Sequence, residues 1–160
     1  MADEAPDATA DAVWLPGGFP ELHAGTLASA NNFHKGLRTL AERFVPIHGE
    51  CGGYMVLGRG LEDADGVRHA MTGLLGLETS FAKRKLHLGY RRARLQRDCS
   101  LGTAGSEVFG HEFHYASTVS VNGDSLVDCR DASGADVPEQ GARQGATTGT
   151  FFHVIDGAAA

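Results

Sequence analysis

Gly49-Glu50-Cys51-Gly52-Gly53 is the segment whose residue types and spacing point most directly to chemistry. It has the form G-x-C-x-G, the cysteine counterpart of the nucleophile elbow. The elbow turn is so sharp that its flanking positions need small side chains. The expected setting is a strand before and a helix after, with the sulfur exposed at the C-terminal end of a sheet. The helix N-terminus should lower the thiol pKa, and the backbone N–H of Gly52 can meet a developing oxyanion. Without such a setting a free cysteine reads as a small buried hydrophobe, and Cys99 and Cys129 are read that way.

A cysteine nucleophile needs a base, usually a histidine remote in sequence and near in space. Of the 8 histidines, His153 is the best placed. It closes Gly149-Thr150-Phe151-Phe152-His153 at the end of the last predicted strand, and strand ends of a parallel sheet share one rim. His48 is expected to point into the sheet or pack behind the elbow, His23 and His34 lie on a helical stretch, and His69 and His87 carry no motif. His111-Glu112-Phe113-His114 lacks the HExxH spacing, and residues three apart on a strand face opposite sides, so no metal site is expected. Pro16-Gly17-Gly18-Phe19-Pro20 reads either as a plain turn or as a second backbone donor facing the cysteine. There is no GxxxxGK[ST] phosphate loop.

The elements that must hold these groups follow a βαβα order, which implies a parallel sheet and an α/β fold. Ala12–Leu15 is a short buried strand stopped by Pro16-Gly17-Gly18. Residues 21–43 carry apolar groups at helical spacing, with a break expected at Asn31-Asn32. Phe44–Ile47 is the strand before the elbow, and Tyr54–Leu57 starts the helix after it. Leu86–Leu95, Val108–Tyr115, Thr118–Val121 and Leu126–Cys129 read as strands, with Asn122-Gly123 as a hairpin signal. Residues 131–141 read as a loop and Gly145–Val154 as strand-like.

The 160 residues suffice for one domain with a real core. Hydrophobic residues make up 42% and charged residues 21%, ordinary for a globular chain. The 22 glycines run at about twice the usual share, which points to tight turns and close backbone approaches. A net charge of -6 argues against non-specific nucleic-acid binding. The basic stretch Lys83–Arg94 is read as a carboxylate-facing surface ahead of a nucleic-acid face. No apolar run approaches a membrane span, the start has no signal-peptide core, and 3 scattered cysteines make no disulfide framework. The expected organisation is a polar leader over 1–10, one domain over 11–156 and a tail over 157–160, in the cytoplasm.

Four segments occur in order: Leu15–His23, Gly49–Met55, Gly110–Tyr115 and Gly149–His153. Together they resemble the C-terminal glutamine amidotransferase domain of the cobyrinate and hydrogenobyrinate a,c-diamide synthases, over nearly the whole chain. The resemblance implies a class I, triad-type fold: a flavodoxin-like, mixed and mainly parallel sheet flanked by helices. It implies that Cys51 attacks the side-chain amide of L-glutamine and that His153 shuttles protons. It places Gly18 and Gly52 in the oxyanion hole, and His114 and Tyr115 at the glutamine backbone. The ammonia would pass to an ATP- and magnesium-dependent synthetase domain acting on a corrinoid polycarboxylate. No cofactor is expected in this chain itself.

Three departures from the family pattern stand out. The synthetase domain is missing. The domain's usual first strand and helix are missing, which should leave an unpaired sheet edge or an exposed apolar face. The acidic residue expected two positions after the histidine is Ile155, with Asp156 out of pattern. Competing readings are the related domain of cobyric acid synthase, which Met55 and the H-E-F-H-Y run disfavour, and an inactive fragment that only docks on a synthetase partner.

Overall fold

The computed structural model describes residues 3–157. Met1, Ala2 and residues 158–160, parts of the expected leader and tail, lie outside the described residues. The chain starts with β1 (Val13–Leu15), a 3-10 turn (Pro20–Leu22), α1 (Ala24–Ser29) and α2 (Asn31–Glu42). The elbow follows as β2 (Ile47–Glu50) and α3 (Gly52–Leu57). Then come β3 (Gly60–Glu62), β4 (Arg68–Ala70), β5 (Gly76–Ser80), β6 (His87–Leu95), β7 (Glu107–His114) and β8 (Ser117–Asn122). The last strands are β9 (Val127–Asp131), β10 (Ala142–Gln144), β11 (Thr147–Thr150) and β12 (Phe152–Gly157).

The strands form three four-stranded sheets, ordered β1-β2-β11-β10, β12-β7-β6-β9 and β4-β3-β5-β8. The α/β class with mixed sheets is the expected one. Among the described residues parallel pairing is confined to β1–β2, β2–β11 and β3–β5, a smaller share than the sequence reading expected. The reason lies in β6, whose side chains alternate between exposed and covered along most of its length. Such half-solvated strands suit antiparallel pairing, and β6 pairs antiparallel with both β7 and β9. β1 is an edge strand of the first sheet, and its Trp14 is 46% exposed with its ring against His48 at 4.5 Å.

Several local expectations shift. The helical stretch breaks at Ala30, beside the expected asparagine pair. α2 buries Leu37 and Leu40, then stops where Phe44 takes a left-handed φ of 59°. The Val45 N–H reaches back to the Leu40 carbonyl at 3.1 Å, closing the helix end. Phe44 therefore belongs to a turn, Pro46 to the irregular link after it, and β2 begins only at Ile47. Asn122-Gly123 is not a hairpin turn, because β8 pairs with β5 while β9 pairs with β6 in another sheet. The described part of the leader is tied down: Asp3 accepts from the backbone N–H groups of Asn32 and Phe33 at 2.9 and 3.0 Å. A carboxylate on the first free N–H groups of a helix satisfies donors that have no partner within the helix.

One core joins α1, α2 and α3 to the first and third sheets through Leu37, Leu40, Ile47, Leu57, Leu61 and Leu77. A second, smaller core under the middle sheet holds Leu95, Val108, Leu126, Val127 and Phe152. Among the described residues no helix is long and apolar enough to cross a membrane.

Candidate active site

Cys51 sits at the junction of β2 and α3 with φ 48° and ψ -105°, a strained backbone for a residue with a Cβ. The first sheet holds the turn in place: the Cys51 N–H donates to the Thr150 carbonyl of β11 at 2.8 Å. The glycines around it are required by contact. A Cβ on Gly53 would collide with the Leu15 carbonyl, so α3 can lie directly against β1 only with glycine there. A Cβ on Gly17 would enter the His153 ring.

A cavity of about 260 Å³ opens on the sulfur, lined by Gly17, Gly18, Glu21, Met55, Phe81, Phe113, His114, Tyr115 and His153 with Cys51. The structure thus brings together five of the six residues expected to act: Cys51, His153, Gly18, His114 and Tyr115. Gly52, the sixth, is just behind the cavity, and a Cβ there would come within 2.8 Å of the Gly18 nitrogen. The Pro16–Pro20 loop therefore packs against the elbow, with Gly18 at the cavity wall.

The expected lowering of the thiol pKa is not what the site does at rest. Burial pushes the Cys51 thiol up to about 11; the Gly52 N–H pulls the other way, and the carboxylates of Glu21, Glu112 and Glu50 add to the rise. A six-residue helix cannot offset this on a side chain that is only 5% exposed. The thiol points at the Phe113 carbonyl of β7, 3.7 Å away.

β7 presents its motif as the alternation requires. His111 pairs with His153 across the β7–β12 register and their rings stack at 5.1 Å, whereas Glu112 and His114 are buried. Glu112 is the anchor that sequence reading missed. It accepts from Arg91 Nε at 2.6 Å and lies 2.7 Å from His114 Nε2. Burial alone would raise the Glu112 pKa; the hydrogen bonds from His114 and Arg91 outweigh it and hold the carboxyl below its usual range. The His114 ring is clamped between Phe151 at 4.0 Å and His87 at 4.6 Å, and its buried Nδ1 has no protein partner.

His87, Glu112 and His114 could in principle hold a metal ion. Their arrangement opposes it: the two rings lie 2° from parallel, and lone pairs in parallel planes cannot converge on one ion. Glu112 is also already engaged by Arg91. The basic stretch is partly spent as well, with Arg91 on Glu112 and Arg92 on Glu107 at 2.8 Å.

The other histidines and cysteines fall outside the cavity. His48 is buried within the first sheet, with Nδ1 2.8 Å from Thr148 Oγ1 of β11, and burial pushes it down to about 4. His34 is buried on α2, and His23 is exposed. Cys129 is buried in the second core, where burial pushes its thiol up to about 12.

Comparison with known proteins agrees with the fold. The fold matches PurLQS from Thermotoga maritima with a TM-score of 0.60 at 17% identity, over 94% of this chain and 71% of that one. It matches a crystal structure of a glutamine amidotransferase with a TM-score of 0.53 at 16% identity, over 89% of this chain and 70% of that one. The hydrogenobyrinate a,c-diamide synthase of Mesorhizobium japonicum is 56% identical over 161 aligned residues, covering 100% of this chain. That of Rhodobacter capsulatus is 55% identical over 157 residues and 98% of this chain. The chain spans 36% of the length of each of these two relatives. The family model of the CobB/CobQ-like glutamine amidotransferase domain matches residues 1–159, end to end across the elbow, the glycine loop and the β7 histidines, and the chain belongs to that family.

Proposed function

We propose that this chain carries out the glutaminase half of the a,c-diamidation of a corrinoid acid in cobalamin biosynthesis, in the cytoplasm. The observation that carries the reading is the strained Cys51 elbow sharing one cavity with His153, Gly18, His114 and Tyr115. The relatives are named for hydrogenobyrinate, which favours the metal-free ring over the cobalt-containing one and favours this family over cobyric acid synthase.

The reaction follows from the groups present. The thiol is neutral at rest, so its proton must pass to His153 as sulfur attacks the glutamine side-chain carbonyl. A C–S bond forms, and the carbonyl oxygen becomes an oxyanion between the Gly18 and Gly52 N–H groups. Collapse of this intermediate breaks the C–N bond; ammonia leaves with the proton returned by His153, and a thioester remains on Cys51. Water then adds to the thioester with His153 as base, giving glutamate and the free thiol. The unpartnered His114 Nδ1 and the Tyr115 side chain are the groups assigned to the amino-acid end of glutamine. The ammonia serves a synthetase portion like the one the longer relatives' names imply, and ATP with magnesium acts there.

Intact-mass analysis after an electrophilic glutamine analogue tests the reading, with Cys51→Ser beside the wild type. One adduct, absent from the variant and suppressed by excess L-glutamine, is expected. Folded wild-type protein that takes up no adduct would overturn the assignment in favour of a chain that only docks.

A further inference from the structure

The wider class orients its histidine with an acid two residues further on, and here that position is Ile155, 62% exposed. The next residue, Asp156, is exposed and accepts from the Gly157 N–H at 2.8 Å. Neither supplies a carboxylate to His153. A different residue does face the ring. Glu50, the residue before the nucleophile, has Oε2 3.6 Å from His153 Nδ1. Its other oxygen, Oε1, accepts from the Val154 N–H at 2.9 Å. Glu50 is buried, and its carboxylate is thereby fixed between the end of β2 and the start of β12.

The topology explains why this residue can reach. Glu50 pairs in register with Thr150 of β11, and the chain turns from there into β12, which carries His153. Successive residues at the end of a strand point to opposite sides. Cys51 therefore turns toward the cavity while Glu50 turns toward the β12 backbone. Gly17 lies against the His153 ring, and His111 stacks on it at 5.1 Å. His111 thus covers one face of the ring, Gly17 lies at its Cε1 edge between the two nitrogens, and Glu50 addresses Nδ1.

We propose that Glu50 is the positioning residue for His153, replacing the missing downstream acid from the position next to the nucleophile. Its carboxylate holds the proton on Nδ1, which leaves Nε2 unprotonated and free to take the Cys51 proton. The inference rests on the glutaminase reading for its catalytic meaning, while the tautomer it requires stands on geometry alone.

The test is Glu50→Gln, read in two ways. Gln keeps an oxygen for the Val154 N–H and turns an amide N–H₂ toward Nδ1, which favours the opposite tautomer. In ¹⁵N-histidine spectra, neutral His153 should carry its proton on Nδ1 in the wild type and lose that preference in the variant. Glutaminase kcat should fall about 10- to 100-fold, with KM for glutamine changed less than about threefold. Glu50→Asp should recover part of the loss. A wild-type His153 protonated on Nε2, a tautomer unchanged by Glu50→Gln, or a kcat within about twofold of wild type would each overturn the proposal. If the wild type turns over no glutamine yet shows the Glu50-dependent tautomer, the reaction assignment fails while the pairing stands. If the Gln variant does not fold, the wild-type tautomer and Glu50→Asp decide.

Discussion

Cys51 combines two properties that pull apart. Its backbone is strained into an exposed elbow geometry, yet its sulfur is buried and its pKa raised to about 11. A thiol held neutral at pH 7 is protected from chance electrophiles and waits for a base and a substrate together. Above pH 7 the thiolate fraction gains tenfold per pH unit until the pKa is reached. Alkylation of Cys51 by iodoacetamide, followed on its own peptide by mass spectrometry, should therefore rise about tenfold per unit between pH 7 and pH 10. A plateau already near pH 8 would show that the thiol is activated at rest. The proposed nucleophile and base were legible in the sequence: the G-x-C-x-G spacing pointed to Cys51 and the strand-end position to His153, and the fold brings both to one cavity. Glu50 was not, because only the β11–β12 turn brings His153 beside it.

At the scale of elements, the elbow is built from a loop, a strand and a short helix that touch backbone to backbone. This requires glycine at Gly53, where any side chain would displace β1, and at Gly17 a side chain would displace the His153 ring. The end of α2 shows the opposite choice. Phe44 occupies a left-handed position with φ 59° while 75% exposed, so it bears the steric cost of a Cβ and gains little packing. Phe44→Gly should raise stability by about 0.5–1 kcal/mol in denaturant melts, with glutaminase activity unchanged. A loss of stability would show that the Phe44 ring contributes more than its exposure suggests. The strands β3, β4 and β5 had no counterpart in the sequence reading. They are three to five residues long, too short for a period to show, and pairing with β8 from a distant part of the chain fixes β5.

Across the whole molecule, strands of the second and third sheets meet the loop before β10 around a cavity of about 460 Å³. Its wall includes Leu77 from β5, Arg91 from β6, Glu112 from β7 and Glu139 from the loop before β10. Glu139 ties that loop to the β11–β12 junction, accepting from Gly141 N–H at 3.1 Å and Phe151 N–H at 3.0 Å. Burial raises its carboxyl from 4.5 to about 7, partly opposed by the Phe151 N–H. The native chain therefore holds a proton that the unfolded chain has released between pH 4.5 and 7. Its contribution to stability falls as pH rises through that window and is flat above it. Glu139→Gln keeps an acceptor oxygen and removes the charge. It should raise Tm at pH 8 by about 4 °C and change it little at pH 5. An equal shift at both pH values would place the effect in packing, not in titration.

The sequence alone singled out the set proposed to act: a cysteine between glycines, a remote histidine and a glycine loop, with the His114–Tyr115 pair added by the family resemblance. The first three are legible because each reflects what a turn or strand end demands of its own few residues. It also determined the α/β class through the order of its first elements. Tertiary structure alone decided the rest. The smaller share of parallel pairing, the Arg91–Glu112–His114 network, the resting thiol at about 11 and the approach of Glu50 to His153 all arise from residues far apart in the chain. Burial and pairing of that kind depend on where strands from distant segments come to lie, and no local pattern of residue types carries that information.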